Sequence, residues 1–203
     1  MLEVYDNVLE PHVAELIDLQ MRDVSWKYNY KSHANRVNRH WHVLCGHDDE
    51  ECNSNGFDYI PQLWETIRSK YLSDYDYIRI YMNAHTHGIE PHLHTDDGDV
   101  TVIYYPRLDW KKEWAGGTLV DSPYLPQYVD YVGNRIAVFD AVLPHQAMPV
   151  SRQCYELRTC VVFKCKKKDA WTKRISKFYK DENHKWKTTP VSYTHLRAHE
   201  TLP

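Results

Sequence analysis

At Tyr75 the spacing of the apolar residues changes, and that change limits the folds open to this chain. From Tyr75 the sequence alternates: Tyr77, Arg79, Tyr81 and Asn83 fall on one side of an extended segment, and Ile78, Ile80 and Met82 on the other. Short strand-like runs follow at residues 100–105, at Thr118–Val120 after the glycine-loosened turn Trp114-Ala115-Gly116-Gly117, at 135–140 after the turn Val132-Gly133-Asn134, and at 157–164. Ahead of Tyr75 the spacing is helical. Val13, Leu16, Ile17 and Met21 predict one helix, with Pro11 tolerated in its first turn, and Leu63, Trp64, Ile67 and Tyr71 predict a second over 60–71. Residues 4–9 read as a short strand, 25–58 as loops or short strands, and 169–179 as a closing helix. Helices followed by a run of short strands indicate an α+β fold whose strands roll into a sandwich or barrel.

The chain has 203 residues, enough for one domain with a sizeable core, and its 13% aromatic content excludes a disordered polymer. A net charge of -3 offers no global attraction for nucleic acid. The run Lys164-Cys165-Lys166-Lys167-Lys168 reads as a solvated face. Five cysteines without a CxxC pair, and no leader or long apolar run, point to a reducing cytoplasmic setting, with Cys160 and Cys165 as small hydrophobes. Residues 191–203 resemble a translated sequencing adapter. They are excluded from the argument, together with the metal-like pair His195 and His199, and they imply an assembled environmental sequence whose true C-terminus is missing.

His94-Thr95-Asp96 places an imidazole and a carboxylate on the same side of an extended segment. His145, about fifty residues on, can join them if the sheet is rolled. Two histidines and one carboxylate on one face suit Fe(II) and leave coordination positions open. His92-Leu93-His94 offers a competing HxH pair, of the kind a cupin-type Zn or Mn enzyme would use. Arg158 lies in a strand-like run after His145, and its guanidinium fork suits a carboxylate ligand. An ordinary pair with Glu156 is the alternative.

The segments Arg79-Ile80-Tyr81-Met82-Asn83-Ala84, His94-Thr95-Asp96, Glu113-Trp114-Ala115-Gly116-Gly117-Thr118, Gly133-Asn134-Arg135-Ile136-Ala137-Val138-Phe139-Asp140, Pro144-His145 and Arg158-Thr159 stand in a specific order. As a set they resemble the prolyl-4-hydroxylase-like branch of the 2-oxoglutarate/Fe(II)-dependent dioxygenases, in the form found in small phage and bacterial proteins. The resemblance implies a double-stranded β-helix (jelly-roll) core over about residues 75–165, N-terminal helices packed on one sheet, and a single domain spanning 1–190. It implies His94, Asp96 and His145 as ligands of Fe(II), and Arg158 as the partner of the distal carboxylate of 2-oxoglutarate. Tyr81 matches a strand tyrosine that contacts this co-substrate, and Asn83 shares its face. O2 is the oxidant, and ascorbate dependence follows from kinship alone. Related halogenases carry a small residue where this chain has Asp96, so hydroxylation is the expected reaction, on a protein side chain such as a peptidyl proline or on a small molecule. Collagen-type enzymes typically carry Lys at the position of Arg158, which sets this chain apart from them. Two rival readings remain open: a non-catalytic jelly-roll binding module, and a nucleic-acid-directed dioxygenase with Lys164–Lys168 and Lys173-Arg174 as its basic groove. Gly116-Gly117 is expected to serve backbone geometry, Arg135 and Asp140 to hold strand ends, and Trp26, Tyr28, Tyr30 and Trp41 to cover the barrel mouth. Localisation is expected to be cytoplasmic, with no membrane segment.

Overall fold

A computed structural model of the protein describes residues 1–31, 37–122 and 124–168. The expected helix at 169–179, the basic pair at 173–174, and the tail at 191–203 lie outside these residues, as does His33. The elements run β1 (Leu2–Asp6), α1 (Pro11–Arg22), β2 (Lys27–Tyr30), β3 (His40–Gly46), α2 (Asp49–Ser54), α3 (Tyr59–Tyr71), β4 (Tyr75–His85), β5 (Val100–Tyr105), a 3-10 turn at Lys112–Trp114, β6 (Thr118–Val120), β7 (Gln127–Val129), β8 (Arg135–Asp140), β9 (His145–Ala147) and β10 (Arg158–Lys167). Among the described residues the strands form two antiparallel sheets, one ordered β1-β8-β5-β10-β4-β3-β2 and the other β7-β6-β9. This is the α+β jelly roll that the strand pattern and the resemblance called for.

The two expected helices, α1 and α3, form where the apolar spacing demands them. Pro11 opens α1, where its missing N–H costs no hydrogen bond, and Ala14, Ile17 and Met21 face inward. Leu16, expected on that inner face, points outward and is exposed. The buried stripe is instead completed by Asp18, which Arg22 and Arg107 neutralise at 2.9 and 3.4 Å. In α3 the buried residues are Ile60, Leu63, Trp64 and Ile67. Trp64 stacks on Phe163 of β10, ring centroids 5.3 Å apart. Helices and large sheet enclose one core that includes Val102, Tyr104, Val138, Val161 and Phe163. Each such side chain contributes about 1.5–3 kcal/mol when fully buried.

The opposite face of the same strands lies between the two sheets. It carries Ile103, Tyr105, Ala137, Phe139, Cys160 and Val162, packed with Val120, Val129 and Tyr131 of the smaller layer. Both faces of β5, β8 and β10 are therefore buried, as their near-continuous apolar runs require. At the sheet edge β1 pairs with β8, and the ends of this pairing are tied by Arg135 to Asp6 at 2.5 Å and by the N-terminal ammonium to Asp140 at 2.5 Å. Both Arg135 and Asp140 hold strand ends, as expected.

Residues 25–58 are more regular than expected. β3 runs seven residues and pairs with β4 from Trp41↔Ala84 to Gly46↔Ile80. Its mixed His, Trp and Val sequence hides the alternation, because its inward residues are polar. The short strands β7 and β9 were also not anticipated. Three residues are too few to show a period. No helix among the described residues is long and apolar enough to cross a membrane.

Candidate metal centre

Antiparallel pairing aligns the inward residues of β3, β4 and β10 in rows. His85 lies opposite Arg158, Asn83 opposite Cys160 and His42, Tyr81 opposite Val162 and Leu44, and Arg79 opposite Lys164. At these positions an otherwise apolar interior turns polar. Polar groups placed inside a barrel must find partners or ligands.

His94 and His145 enter from the other side. Their backbones form an isolated antiparallel bridge, with His94 N–H donating to the His145 carbonyl at 3.0 Å and the reverse bond at 2.8 Å. His94 is thus held by a single bridge rather than by a regular strand. Asp96 follows, its N–H donating to the Ala141 carbonyl at 2.9 Å. Gly98 then turns with φ +91° against the Cys165 carbonyl, where a Cβ would come within 2.6 Å. That turn fastens the segment to β10 through Asp99 N–H to the Cys165 carbonyl at 2.8 Å.

The result brings His94, Asp96 and His145 together, with one ligand atom from each lying within 4.8 Å of the others. Both histidines are set by the same device. Nδ1 of His94 faces the His92 carbonyl at 2.8 Å, and Nδ1 of His145 faces the Leu143 carbonyl at 2.9 Å. A carbonyl only accepts, so each Nδ1 carries the proton and each Nε2 keeps its lone pair for a cation. Burial, reinforced by neighbouring His145, draws His94 down to about 4, and burial also lowers His145. Both rings are therefore neutral at physiological pH, the form that binds metal. A borderline cation with nitrogen and oxygen donors fits this set.

Asp96 is held from the sheet side. Its Oδ2 accepts from Thr101 Oγ1 at 2.7 Å and lies 3.2 Å from His145 Nε2, while Oδ1 lies 3.6 Å from His94 Nε2. The same Oδ2 is in ionic contact with Lys164 Nζ. Lys164 is only 2% exposed, which corrects the reading of residues 164–168 as a solvated face. Burial and the nearby Arg79 lower its ammonium to about 7. Lys164 shares the inward register of Arg158, Cys160 and Val162, so the alternation of the strand was the signal that could have found it.

Arg158 is 1% exposed and has no carboxylate partner among the described residues. The pair with Glu156 does not form, because Glu156 engages Arg107 at 2.9 Å. Instead Arg158 donates Nε–H to the Gly116 carbonyl and lies 5.6 and 6.0 Å from the ring centroids of Tyr131 and Tyr105. Gly116, with φ +77°, leaves room beside the arginine, where a Cβ would stand 3.3 Å from Arg158 Cδ. Trp110 closes over Tyr131, centroids 4.5 Å apart, and Trp114 is buried beneath it.

One cavity of about 60 Å³ is lined by His94, Asp96, His145, Arg158, Tyr81 and Asn83 together. Asn83 Oδ1 is already engaged by His42 Nδ1 at 2.9 Å, so its amide N–H groups are what it can offer a ligand. The cavity is also lined by His92, of the competing HxH pair, and by His40, His85 and Thr118, which the sequence did not single out for it. Among the described residues, His40 Nε2, His85 Nδ1 and His92 Nε2 are buried and have no hydrogen-bond partner. Burial lowers His40 to about 4, helped by His42, and takes His85 well below the usual range, helped by Arg158. Tyr30 stacks on His42 with centroids 3.8 Å apart, and Tyr28 lies 4.9 Å from Trp41, but none of these lines the cavity, and Trp26 packs against the helix-side core instead of covering the barrel mouth as expected.

No protein-family model and no curated protein matches the chain in sequence. Solved structures match it in fold. A prolyl hydroxylase from Trichoplax adhaerens, in complex with a hypoxia inducible factor peptide fragment, superposes with a TM-score of 0.56 over 86% of each chain at 15% identity. A prolyl-4-hydroxylase from Pseudomonas putida gives 0.55 over 80% of this chain and 91% of that one, at 14% identity. HygX from Streptomyces hygroscopicus, with nickel, 2-oxoglutarate and hygromycin B bound, gives 0.55 over 82% of each at 10% identity.

Proposed function

We propose that this chain, which has the fold of the 2-oxoglutarate/Fe(II) oxygenases, is an oxygenase of that kind, with His94, Asp96 and His145 as the ligands of Fe(II). The observation that carries the reading is the meeting, in one cavity, of this donor set with a fully buried Arg158 that lacks any carboxylate partner among the described residues. An uncompensated buried guanidinium is costly, and an acidic ligand removes the cost.

When bound, Fe(II) with 2-oxoglutarate and O2 supplies oxidative decarboxylation to succinate and CO2, coupled to hydroxylation of a second substrate. The protein's own part is binding, orientation and exclusion of water. His94 and His145 present fixed Nε2 lone pairs, and Asp96 presents Oδ1 beside them. Arg158, seated by Gly116 and walled by Tyr105 and Tyr131, receives the far carboxylate of 2-oxoglutarate. Tyr81 and the Asn83 amide line the same cavity and steady the co-substrate between arginine and metal. The apolar wall of Ile103, Val162 and Cys160 keeps the chamber dry.

The primary substrate enters where Asn38, His40 and His92 line the cavity. Their side chains offer hydrogen-bond donors and acceptors, which suits a polar side chain of a protein or a polar small molecule. Succinate release from 2-oxoglutarate, assayed with Fe(II) against pools of peptides, amino acids and small metabolites, tests the reading. Iron-dependent succinate formation supports it, and a protein that binds neither metal nor 2-oxoglutarate refutes it.

A further inference from the structure

Lysine is seldom fully buried, and Lys164 is buried at the centre of the large sheet, between β4 and β5. Its strand neighbours are Arg79 on one side and Thr101 on the other. Arg79 is committed elsewhere, to Asp97 at 2.8 Å. Among the described residues the carboxylate paired with Lys164 is Asp96, through Oδ2. The side chain of Asp96 is itself only 4% exposed. Without a cation that carboxylate would be an isolated buried charge.

We propose that Lys164 is the built-in counter-ion of Asp96, a positioning residue that assembles the ligand set before any metal arrives. The proposal rests on the metal-site reading above. Lys164 and Thr101 both hold Oδ2, so Oδ1 is left as the oxygen available beside His94. The carboxylate is thereby fixed with one oxygen free. Folding then does not depend on metal, because the positive charge that Asp96 needs is already on β10. The same charge opposes the incoming divalent ion, so a site without it would bind metal more tightly.

Thermal melting of the full chain in EDTA and in excess Mn(II) tests this, using wild type, Lys164→Met, and the double variant Asp96→Asn/Lys164→Met. Removing one partner of a buried ion pair should lower the melting temperature of K164M in EDTA by roughly 10 °C. Mn(II) should restore more than half of that loss, and K164M should bind Mn(II) at least about tenfold more tightly than wild type. The double variant, with neither charge, should melt within about 3 °C of wild type in EDTA and show no response to Mn(II). If K164M does not fold, a folded double variant establishes the counter-ion role. Equal losses with and without Mn(II), or a double variant no more stable than K164M, would show that Lys164 merely fills space and overturn the proposal. Absence of Mn(II) binding by wild type would refute the metal-site reading instead, while the comparison in EDTA would still decide the role of Lys164.

Discussion

His94 and His145 hold each other by two backbone hydrogen bonds, of 3.0 and 2.8 Å, while each ring donates Nδ1–H to the carbonyl two residues before it. Two histidines far apart in the chain thus face one another as a matched pair, with ring centroids 4.4 Å apart. The rigidity of the centre comes from the backbone, and the side chains inherit it.

This arrangement makes the three ligand positions unequal to their neighbours. Asp96→Ala and His145→Ala should each lower affinity for Fe(II) or Mn(II) by at least about 100-fold, and iron-dependent succinate release should fall in parallel. Titration calorimetry with Mn(II) and a succinate assay measure the two effects. Unchanged turnover in Asp96→Ala would remove that residue from the ligand set.

His92 offers the sharpest contrast with the competing HxH arrangement. Its contribution to His94 is a backbone carbonyl, which survives truncation of the side chain. His92→Ala should therefore change metal affinity by less than about threefold, under 1 kcal/mol, whereas His94→Ala should abolish binding. Loss of metal in both variants would favour the HxH site.

Arg158 should govern the co-substrate rather than the metal. Arg158→Gln should weaken 2-oxoglutarate by about 2–4 kcal/mol, a factor of roughly 30 to 1000, because a buried charge-assisted bond to a carboxylate is lost. Mn(II) affinity should stay within a few fold. Equilibrium binding of 2-oxoglutarate to the Mn(II)-loaded protein separates the two quantities.

The imidazoles of the cavity make the fold sensitive to acid. His40 is lowered to about 4 by burial and by His42, and His85 is lowered in the same direction by burial and by Arg158. Above about pH 7.5 both are essentially neutral whether the chain is folded or not, and they add little pH dependence. As pH falls toward 5 the unfolded chain takes up protons that the folded chain refuses. Stability should then drop by up to about 1.4 kcal/mol per pH unit for each histidine. Urea denaturation between pH 7.5 and 5 measures the slope, and His40→Gln should reduce it. A flat profile from pH 6.5 to 5 would contradict the assignment.

Asn134 is the clearest structural position outside the site. It adopts φ +60°, and its buried side chain bonds both the N–H and the carbonyl of Leu9 at 2.9 Å. Asn134→Ala should cost about 2–4 kcal/mol, from two orphaned backbone groups and left-handed strain. Asn134→Gly removes the strain and should cost less, a difference that denaturant titration resolves.

Much of this was legible in the chain itself. The period change at Tyr75 marked β4, and the runs at 100–105 and 135–140 coincide with β5 and β8. What escaped was short or inwardly polar. β3 carries His40 and His42 on its buried side, so it shows no apolar alternation. The lysine run at 164–168 conceals Lys164, because composition is the same along it and only register separates the buried Lys164 from the exposed Lys166 and Lys167.

By itself the sequence determined local preference and donor chemistry: which stretches are helical or extended, and that His94, Asp96, His145 and Arg158 carry groups able to hold a metal and an acid. Tertiary structure decided which of these groups face each other. Glu156 was as plausible a partner for Arg158 as any ligand until the fold turned it toward Arg107. Lys164 was one cation among several until β10 was laid between β4 and β5. The reason is physical. A side chain's charge and hydrogen-bonding capacity belong to the residue, but the free energy of burying it depends on the partner that a distant strand brings within reach.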